Sequence, residues 1–341
     1  MRTRFRLALP VLTTGILLAA EAKKVVITSP GPYYSLLGRA EIAELRAAAP
    51  GINLVPFDKD RLMSELVDAD GVIGNITPEM IRAAKKLKWV QVGSAGVEQY
   101  LTPELKNSKI TLTNCKILQG PEIADHAFAL LLALTRQLNR SIARRPSEEW
   151  TPRAYAPIEL QGKTAVVAGV GGIGTQIAVR AQAFGMRVIG VDPRDMPYVP
   201  YLQKSVPPDR LEAVLPEADV VFVAAPHTAQ SEKMFGAKQF GRMKQGSYFI
   251  AVSRGKLYDA VALANALQSG HLAGAGLDVT DPEPLPKGHP LWKLENVILT
   301  PHIAGRSDGE HARYLALYKE NLRRFAAGEP LLNVVDKEKG Y

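Results

Sequence analysis

Residues 167–174 read Val-Ala-Gly-Val-Gly-Gly-Ile-Gly, with an apolar run entering the turn and a helical pattern leaving it. No other segment constrains the fold as strongly. Glycines spaced as Gly169, Gly171 and Gly174 suit a strand–turn–helix in which each has a separate job. The first makes a tight turn, the second lets a pyrophosphate approach the backbone, and the third lets helix and strand pack closely. The helix N-terminus adds unpaired N–H groups and a partial positive charge, which together hold phosphate. The next apolar run ends in Asp192, about 20 residues further on, where a carboxylate accepts from the hydroxyls of an adenosine ribose. That carboxylate repels a 2′-phosphate, so NAD is expected rather than NADP. Arg194 is the counter-signal, because it could meet such a phosphate.

Around this turn the chain alternates. Apolar runs at 164–170, 187–192, 220–225, 247–252, 273–278 and 297–301 predict strands, with helices clearest at 173–184 and 259–269. An earlier series predicts strands at 24–28, 52–57, 71–74, 89–93 and 110–114, with helices around 36–48, 61–69 and 78–87. Near-continuous apolar strands between helices imply parallel sheets covered on both faces. A long helix is expected at 122–142, an exposed linker at 144–157 and a last helix at 308–326. At 341 residues, two α/β lobes are the simplest account.

Composition then removes other classes. The 46% hydrophobic content supplies a core and excludes a disordered chain. The net charge of +8 comes from scattered residues without a Lys/Arg run, so nucleic-acid binding is not expected. The single cysteine, Cys115, can form neither an internal disulfide nor a cysteine-based zinc site, and no metal site is expected. It has no adjacent base and reads as a packed residue rather than a nucleophile.

The N-terminus has a different character. Arg2, Arg4 and Arg6 precede an uncharged stretch, 7–20, which exits through Ala20-Glu21-Ala22. A basic start, an apolar middle and a small-x-small exit are the pattern of a secretory signal peptide, residues 1–22. The stretch contains Pro10 and Gly15 and is too short and interrupted for a stable membrane span. Export to the periplasm or outside the cell is expected, the alternative being a cytoplasmic protein with an extended tail.

Three residues near strand ends carry candidate chemistry: Arg254 in Val-Ser-Arg-Gly, Glu283 in Asp-Pro-Glu-Pro-Leu-Pro, and His302 in Thr-Pro-His-Ile-Ala-Gly. In open parallel sheets, ligands sit beyond the carboxyl ends of strands, so all three can face one crevice. Arginine can hold a carboxylate with its planar fork and polarise a carbonyl. Histidine can exchange a proton near neutral pH, and an adjacent glutamate would orient its ring and favour its charged form. Singly, each has a plainer reading: a surface cation, a solvated loop acid and a strand-terminal cap.

With these motifs in order, residues 23–332 resemble the D-isomer-specific 2-hydroxyacid dehydrogenase family. Further matching stretches are Glu159-Leu-Gln-Gly-Lys-Thr, Ala183-Phe-Gly-Met-Arg-Val-Ile-Gly-Val-Asp-Pro, Gly276-Leu-Asp-Val and His289-Pro-Leu-Trp. The resemblance implies an NAD-dependent oxidoreductase that interconverts a small 2-oxo acid and the D-2-hydroxy acid, of the glyoxylate/hydroxypyruvate reductase or phosphoglycerate dehydrogenase kind. Arg254 would bind substrate and polarise its carbonyl, Glu283 would partner the histidine, and His302 would be the acid/base. Val92-Gly-Ser-Ala-Gly-Val matches the substrate-carboxylate loop, with the N–H groups of Ala95 and Gly96 as its grip. The implied cofactor positions are Gly169, Gly171, Gly172, Ile173, Gly174, Asp192, Ala225, Pro226, Ser253 and Asp278.

The implied fold is two Rossmann-like lobes. A dinucleotide-binding domain, 120–302, is inserted into a flavodoxin-like substrate domain made of 23–119 and 303–335, and a homodimer is implied. Departures are mild: Glu98 stands where an Asp is frequent, Tyr258-Asp259 replaces Val-Asp, and His227 stands where a leucine is common. His126, His271, His289 and His311 have no carboxylate partner at a telling spacing and read as structural or surface residues. Two other readings share the fold: a non-catalytic NAD-sensing binding protein, and a phosphite- or formate-type dehydrogenase. The leader and the intact Arg254/Glu283/His302 set speak against the first, and Glu283 speaks against the formate type.

Overall fold

The computed structural model describes residues 22–29 and 37–341. The expected leader, apart from Ala22, and the first residue expected in the helix at 36–48 lie outside the described residues.

The first lobe carries a five-stranded parallel sheet: β1 (Lys23–Ile27), β2 (Ile52–Val55), β3 (Gly71–Ile73), β4 (Trp89–Gln91) and β5 (Thr111–Thr113). Their order is β2-β1-β3-β4-β5. The second lobe carries seven parallel strands: β6 (Thr164–Ala168), β7 (Arg187–Val191), β8 (Lys204–Val206), β9 (Val220–Val223), β10 (Ser247–Ala251), β11 (Leu272–Leu277) and β12 (Val297–Leu299). Their order is β12-β11-β10-β9-β6-β7-β8, so the winding reverses between β6 and β9. Such a reversal opens a crevice at the strand carboxyl ends.

Both faces of the second sheet are covered, which is why its strands read as continuous apolar runs. All five residues of β6 are buried. On one face Phe249 meets Phe235 and Phe240 edge-on, with ring centroids 5.3 and 5.2 Å away. On the other, Phe222 packs 5.3 Å from Phe128 of the helix Gly120–Thr135. That helix already belongs to the second lobe's core. The exposed stretch 144–157 is therefore a loop within the second lobe rather than a connection between lobes.

The helix Glu310–Ala327 returns to the first sheet. Phe325 packs 4.9 Å from the buried Trp89, and Asn321, fully buried, donates to Gln91 Oε1 at 2.8 Å and accepts from Leu332 N at 2.8 Å. Thr113 links Gln91 Oε1 (2.8 Å) to Trp89 Nε1 (2.9 Å), so a satisfied polar network joins the chain's last helix to its early strands.

Three details depart from the sequence reading. The helix expected at 122–142 is broken into Gly120–Thr135 and Leu138–Arg144. Gln137 sits between them at φ 55, a left-handed position that ends the first helix after Arg136. β8 had no apolar signature, because it is a short, largely exposed edge strand of Lys-Ser-Val. The helix Ala237–Arg242 is short and mostly polar on its outer face, and periodicity did not reveal it. Among the described residues, no helix is long and apolar enough to cross a membrane.

Candidate active site

The two lobes enclose a cleft of about 1830 Å³, and every loop that lines its centre leaves the carboxyl end of a strand. Gly93–Val97 follows β4, the glycine turn follows β6, and Asp192 follows β7. Arg254 follows β10, Glu283 follows β11 and His302 follows β12.

In the glycine turn, Gly169 adopts φ +90 and lies so close to Ala225 that a Cβ would stand 2.5 Å from its backbone. A Cβ on Gly174 would stand 1.8 Å from Gly169 O, so strand and helix can meet only there without one. A Cβ on Gly171 would meet nothing within 4 Å, because this residue faces the cleft. The helix Gly172–Ala183 starts at this point and aims its N-terminus at the same space. These features fit the pyrophosphate of a dinucleotide.

Asp192, almost fully buried, accepts from Val170 N at 2.8 Å, which ties the end of β7 to the glycine turn. Arg194 grips the same carboxylate at 2.8 Å (Nε to Oδ1) and 3.1 Å (Nη2 to Oδ2), and also donates to Val170 O at 2.8 Å. Burial alone would push the Asp192 carboxyl up, but the hydrogen bonds from Arg194 and Val170 hold it below the usual carboxylate range. The counter-signal noted in the sequence is thus the carboxylate's own partner.

His302 Nδ1 lies 2.8 Å from Glu283 Oε2, and Glu283 Oε1 accepts from Thr280 N at 3.0 Å. Held on both oxygens, Glu283 fixes the ring and leaves Nε2 as the imidazole's free nitrogen. Burial pushes the Glu283 carboxyl up, yet the hydrogen bonds from His302 and Thr280, with the charges of His302 and Arg254, bring it below its ordinary value. His302 itself is at φ 53 and donates its N–H to Asp278 O at 2.9 Å. A non-glycine residue in the left-handed region stores strain that surrounding contacts must hold.

Those contacts come from Asp278, which is 1% exposed. Its carboxylate accepts from Ile303 N (3.0 Å), Ala304 N (2.9 Å) and Thr300 Oγ1 (2.5 Å). The residue borders the cleft, but its oxygens brace the loop that carries His302 rather than pointing to a ligand. His126 Nε2 completes this brace, 2.9 Å from Thr300 Oγ1 and 3.5 Å from Asp278 Oδ1. His126 and His311 have no carboxylate at a telling spacing in the sequence, and the fold supplies one to each: Asp278 to His126 and Glu41, at 3.3 Å, to His311. Both pairs join residues remote in sequence, which spacing along the chain cannot show.

Arg254 projects from the second lobe over the loop of the first. A Cβ on Gly96 would fall 1.7 Å from its Nη2, so only glycine admits the guanidinium there. Arg254 Nη1 donates to Ser253 O at 2.8 Å, and Nε donates across the cleft to Glu98 Oε1 at 3.1 Å. Ala95 O accepts from Asn114 Nδ2 at 2.6 Å and Gly96 O accepts from Ser94 Oγ at 2.6 Å, which sets the peptide planes of this loop. Glu98 is a contact that motif reading missed, since its partner lies in the other lobe.

Ala225, Pro226 and Ser253 border the cleft, Ser253 with its hydroxyl on Val223 O at 3.2 Å. His227 borders it too, 3.6 Å from Glu232. Cys115 is fully buried against Val92 O, and burial pushes its thiol up, which makes it inert. Among the described residues, no cluster of His, Cys, Asp and Glu could hold a metal ion.

Comparison with known proteins agrees with this geometry. Residues 128–304 match the family profile described as D-isomer specific 2-hydroxyacid dehydrogenase, NAD binding domain. The chain is 35% identical over 292 residues to a glyoxylate reductase of Korarchaeum cryptofilum, covering 83% of this chain and 87% of that protein. It is 30% identical over 324 residues to a D-3-phosphoglycerate dehydrogenase of Methanocaldococcus jannaschii, covering 92% of this chain and 59% of that longer protein. Among solved structures, an NADPH-dependent glyoxylate/hydroxypyruvate reductase from Sinorhizobium meliloti in complex with NADP and sulfate superposes with a TM-score of 0.79. It is 26% identical, over 94% of this chain and all of that one.

Proposed function

The chain belongs to the D-isomer-specific 2-hydroxyacid dehydrogenase family and is an oxidoreductase of the CH–OH group; from that premise we propose that it reduces a glyoxylate- or hydroxypyruvate-sized 2-oxo acid with NADH. The observation that carries the reading is the convergence of Arg254, the Glu283–His302 pair and the glycine turn on one cleft. Relatives named glyoxylate reductase, matched over most of their own length, support a small substrate.

The glycine turn, the N-terminus of the helix Gly172–Ala183 and Asp192 would hold a nicotinamide coenzyme, which would supply a hydride for the substrate's C2. The protein's own groups do the rest. Arg254 holds the carboxylate of the 2-oxo acid with its planar fork and polarises the adjacent carbonyl. Ala95 and Gly96 offer backbone N–H groups to the same carboxylate. His302 gives a proton from Nε2 to the carbonyl oxygen, while Glu283 holds Nδ1 and stabilises the imidazolium. Closing the lobes would exclude water from the reacting centre.

The preference for NADH over NADPH is supported by Asp192, whose ionised carboxylate stands at the ribose end with Arg194 already bound to it. A 2′-phosphate would meet that carboxylate and would have to take Arg194 from it. Assay of a panel of 2-oxo acids by loss of reduced-cofactor absorbance tests both parts. Higher kcat/KM with NADH, and a narrower gap in Asp192→Ala, is the expected result; an unmodified enzyme that prefers NADPH would overturn the cofactor assignment. Inactivity with every 2-oxo acid would overturn the substrate class. Exposed Leu138, Ile142 and Trp150 on one outer stretch support a homodimer, checked by sedimentation. The leader supports export, and an uncleaved chain recovered from the cytosol of a bacterial host would refute it.

A further inference from the structure

The segment after the last helix does not trail away from the molecule. Thr113 and Val334 form an antiparallel bridge, and Val335, buried in the first lobe's core, donates to Leu112 O at 2.9 Å. Lys337 Nζ then donates to three carbonyls at once, Leu105 (3.1 Å), Ser108 (2.6 Å) and Ile110 (3.1 Å). Beyond this anchor the chain doubles back in a closed turn. Asp336 Oδ1 accepts from Glu338 N and Lys339 N, both at 3.0 Å, and Asp336 O accepts from Gly340 N at 2.8 Å. Gly340 is at φ +83, the conformation that lets the turn close, and Asp336 N donates to Tyr341 O at 3.1 Å. Gly340 and Tyr341 line the interlobe cleft, with Arg194, Asp209 and Leu211 of the second lobe on its far side.

Resting on the dinucleotide reading above, we propose that this turn completes the adenosine half of the cofactor site, with Tyr341 as a binding residue that the first lobe delivers to the cofactor. The glycine turn and Asp192 hold the pyrophosphate and ribose from the second lobe alone. Beyond them the cleft is also lined by Pro208 and Leu211 of the second lobe and by this turn, and an aromatic ring is a sequence-tolerant way to cover a purine face. Placement agrees with this. Tyr341 lines the same cleft as Asp192 and Arg194. Because the turn is fixed to the first lobe through Lys337 and Val335, cofactor binding at the adenosine end draws the two lobes together.

Equilibrium binding of NADH, followed by its fluorescence, tests this with Tyr341→Ala, Tyr341→Phe and the anchor variant Lys337→Met. Reduced nicotinamide mononucleotide, which lacks the adenosine half, is the control probe. The Kd for NADH should rise about 5- to 150-fold in Tyr341→Ala, the range for loss of one base–aromatic stack. Tyr341→Phe should keep the unmodified Kd, Lys337→Met should weaken NADH in the same direction, and none should change the Kd of the mononucleotide. An unchanged NADH Kd in Tyr341→Ala would overturn the proposal, as would an equal loss for both probes, since that would mark general damage to the cleft. An unmodified protein that binds neither NADH nor NADPH would instead overturn the functional reading on which the proposal rests.

Discussion

At the scale of single residues, the electrostatics of Glu283 set a testable sign. Reduction of a 2-oxo acid needs His302 protonated, and the ionised Glu283 at 2.8 Å stabilises that form. Glu283 is held below its ordinary value, so its charge is fully present above about pH 4.5 and is lost only as pH falls through the lowered value. Glu283→Gln removes the charge at every pH. Near neutral pH, kcat/KM for reduction should therefore fall modestly; an unchanged value would separate this glutamate from the histidine. His302→Ala removes the donor itself and should lower the rate by about 10²- to 10⁴-fold. Gly96→Ala makes a steric test of a different residue. Its Cβ would fall 1.7 Å from Arg254 Nη2, so the guanidinium must leave its place. The KM for the 2-oxo acid should rise and kcat should fall, with little change in the KM for NADH, because one guanidinium both binds the substrate and polarises its carbonyl. Arg254, Glu283 and His302 were legible in the sequence because each follows an apolar run, and strand ends are where ligands sit. The Glu98–Arg254 contact and the His126–Asp278 brace were not, because each joins residues far apart in sequence; Asp192 and Arg194 were both visible, but not that the arginine is bound to the carboxylate.

Elements were legible in proportion to their burial. β6, β7, β9 and β10 are covered on both faces and read as apolar runs to within one or two residues of their observed ends. β8, exposed at the sheet's edge, carries no such run, and the break at Gln137 depends on one residue's backbone rather than on any pattern. The return of the helix Glu310–Ala327 to the first sheet was implied by family resemblance, whereas the network that seats it was not visible at all. Asn321, Gln91, Thr113 and Trp89 come from two ends of the chain and meet in a site without water access. Asn321→Ala leaves Leu332 N without its acceptor and Gln91 Oε1 with Thr113 Oγ1 as its remaining donor. An unpaired buried group destabilises by about 1–3 kcal/mol, so urea unfolding should show a loss of that size or somewhat more. A loss below about 0.5 kcal/mol would mean that the network is not what seats the helix. Asn321→Asp should be worse than Asn321→Ala, because the added carboxylate would be buried facing the acceptor Gln91 Oε1.

For the molecule as a whole, the apolar contacts form separate cores within each lobe, two on the faces of the seven-stranded sheet and two on those of the five-stranded sheet. What joins the lobes is mostly polar: Arg313 to Glu122 at 2.7 Å and Arg254 to Glu98 at 3.1 Å. Polar, partly hydrated contacts between independent cores allow the lobes to move and to unfold separately, so a single two-state transition is not expected. A ligand that binds only the folded state stabilises it by RT ln(1 + [L]/Kd), about 2.7 kcal/mol at a hundredfold excess over Kd. The glycine turn and Asp192 lie on the second lobe and the Tyr341 turn on the first, so in a calorimetric scan NADH should raise the first lobe's transition less and the second lobe's most. NADPH at the same concentration should raise it less, because its phosphate meets the Asp192 carboxylate. Adding a non-reactive carboxylate such as oxalate with NADH should bring the two transitions closer together. Arg254 and the Ala95–Gly96 loop stand on opposite lobes, and a carboxylate held between them couples lobes whose other contacts are mostly polar. Two transitions that stay as far apart with both ligands as with NADH alone would show that Arg254 and that loop do not grip one molecule together. The substrate would then be held by a single lobe, and closure would have no part in binding it.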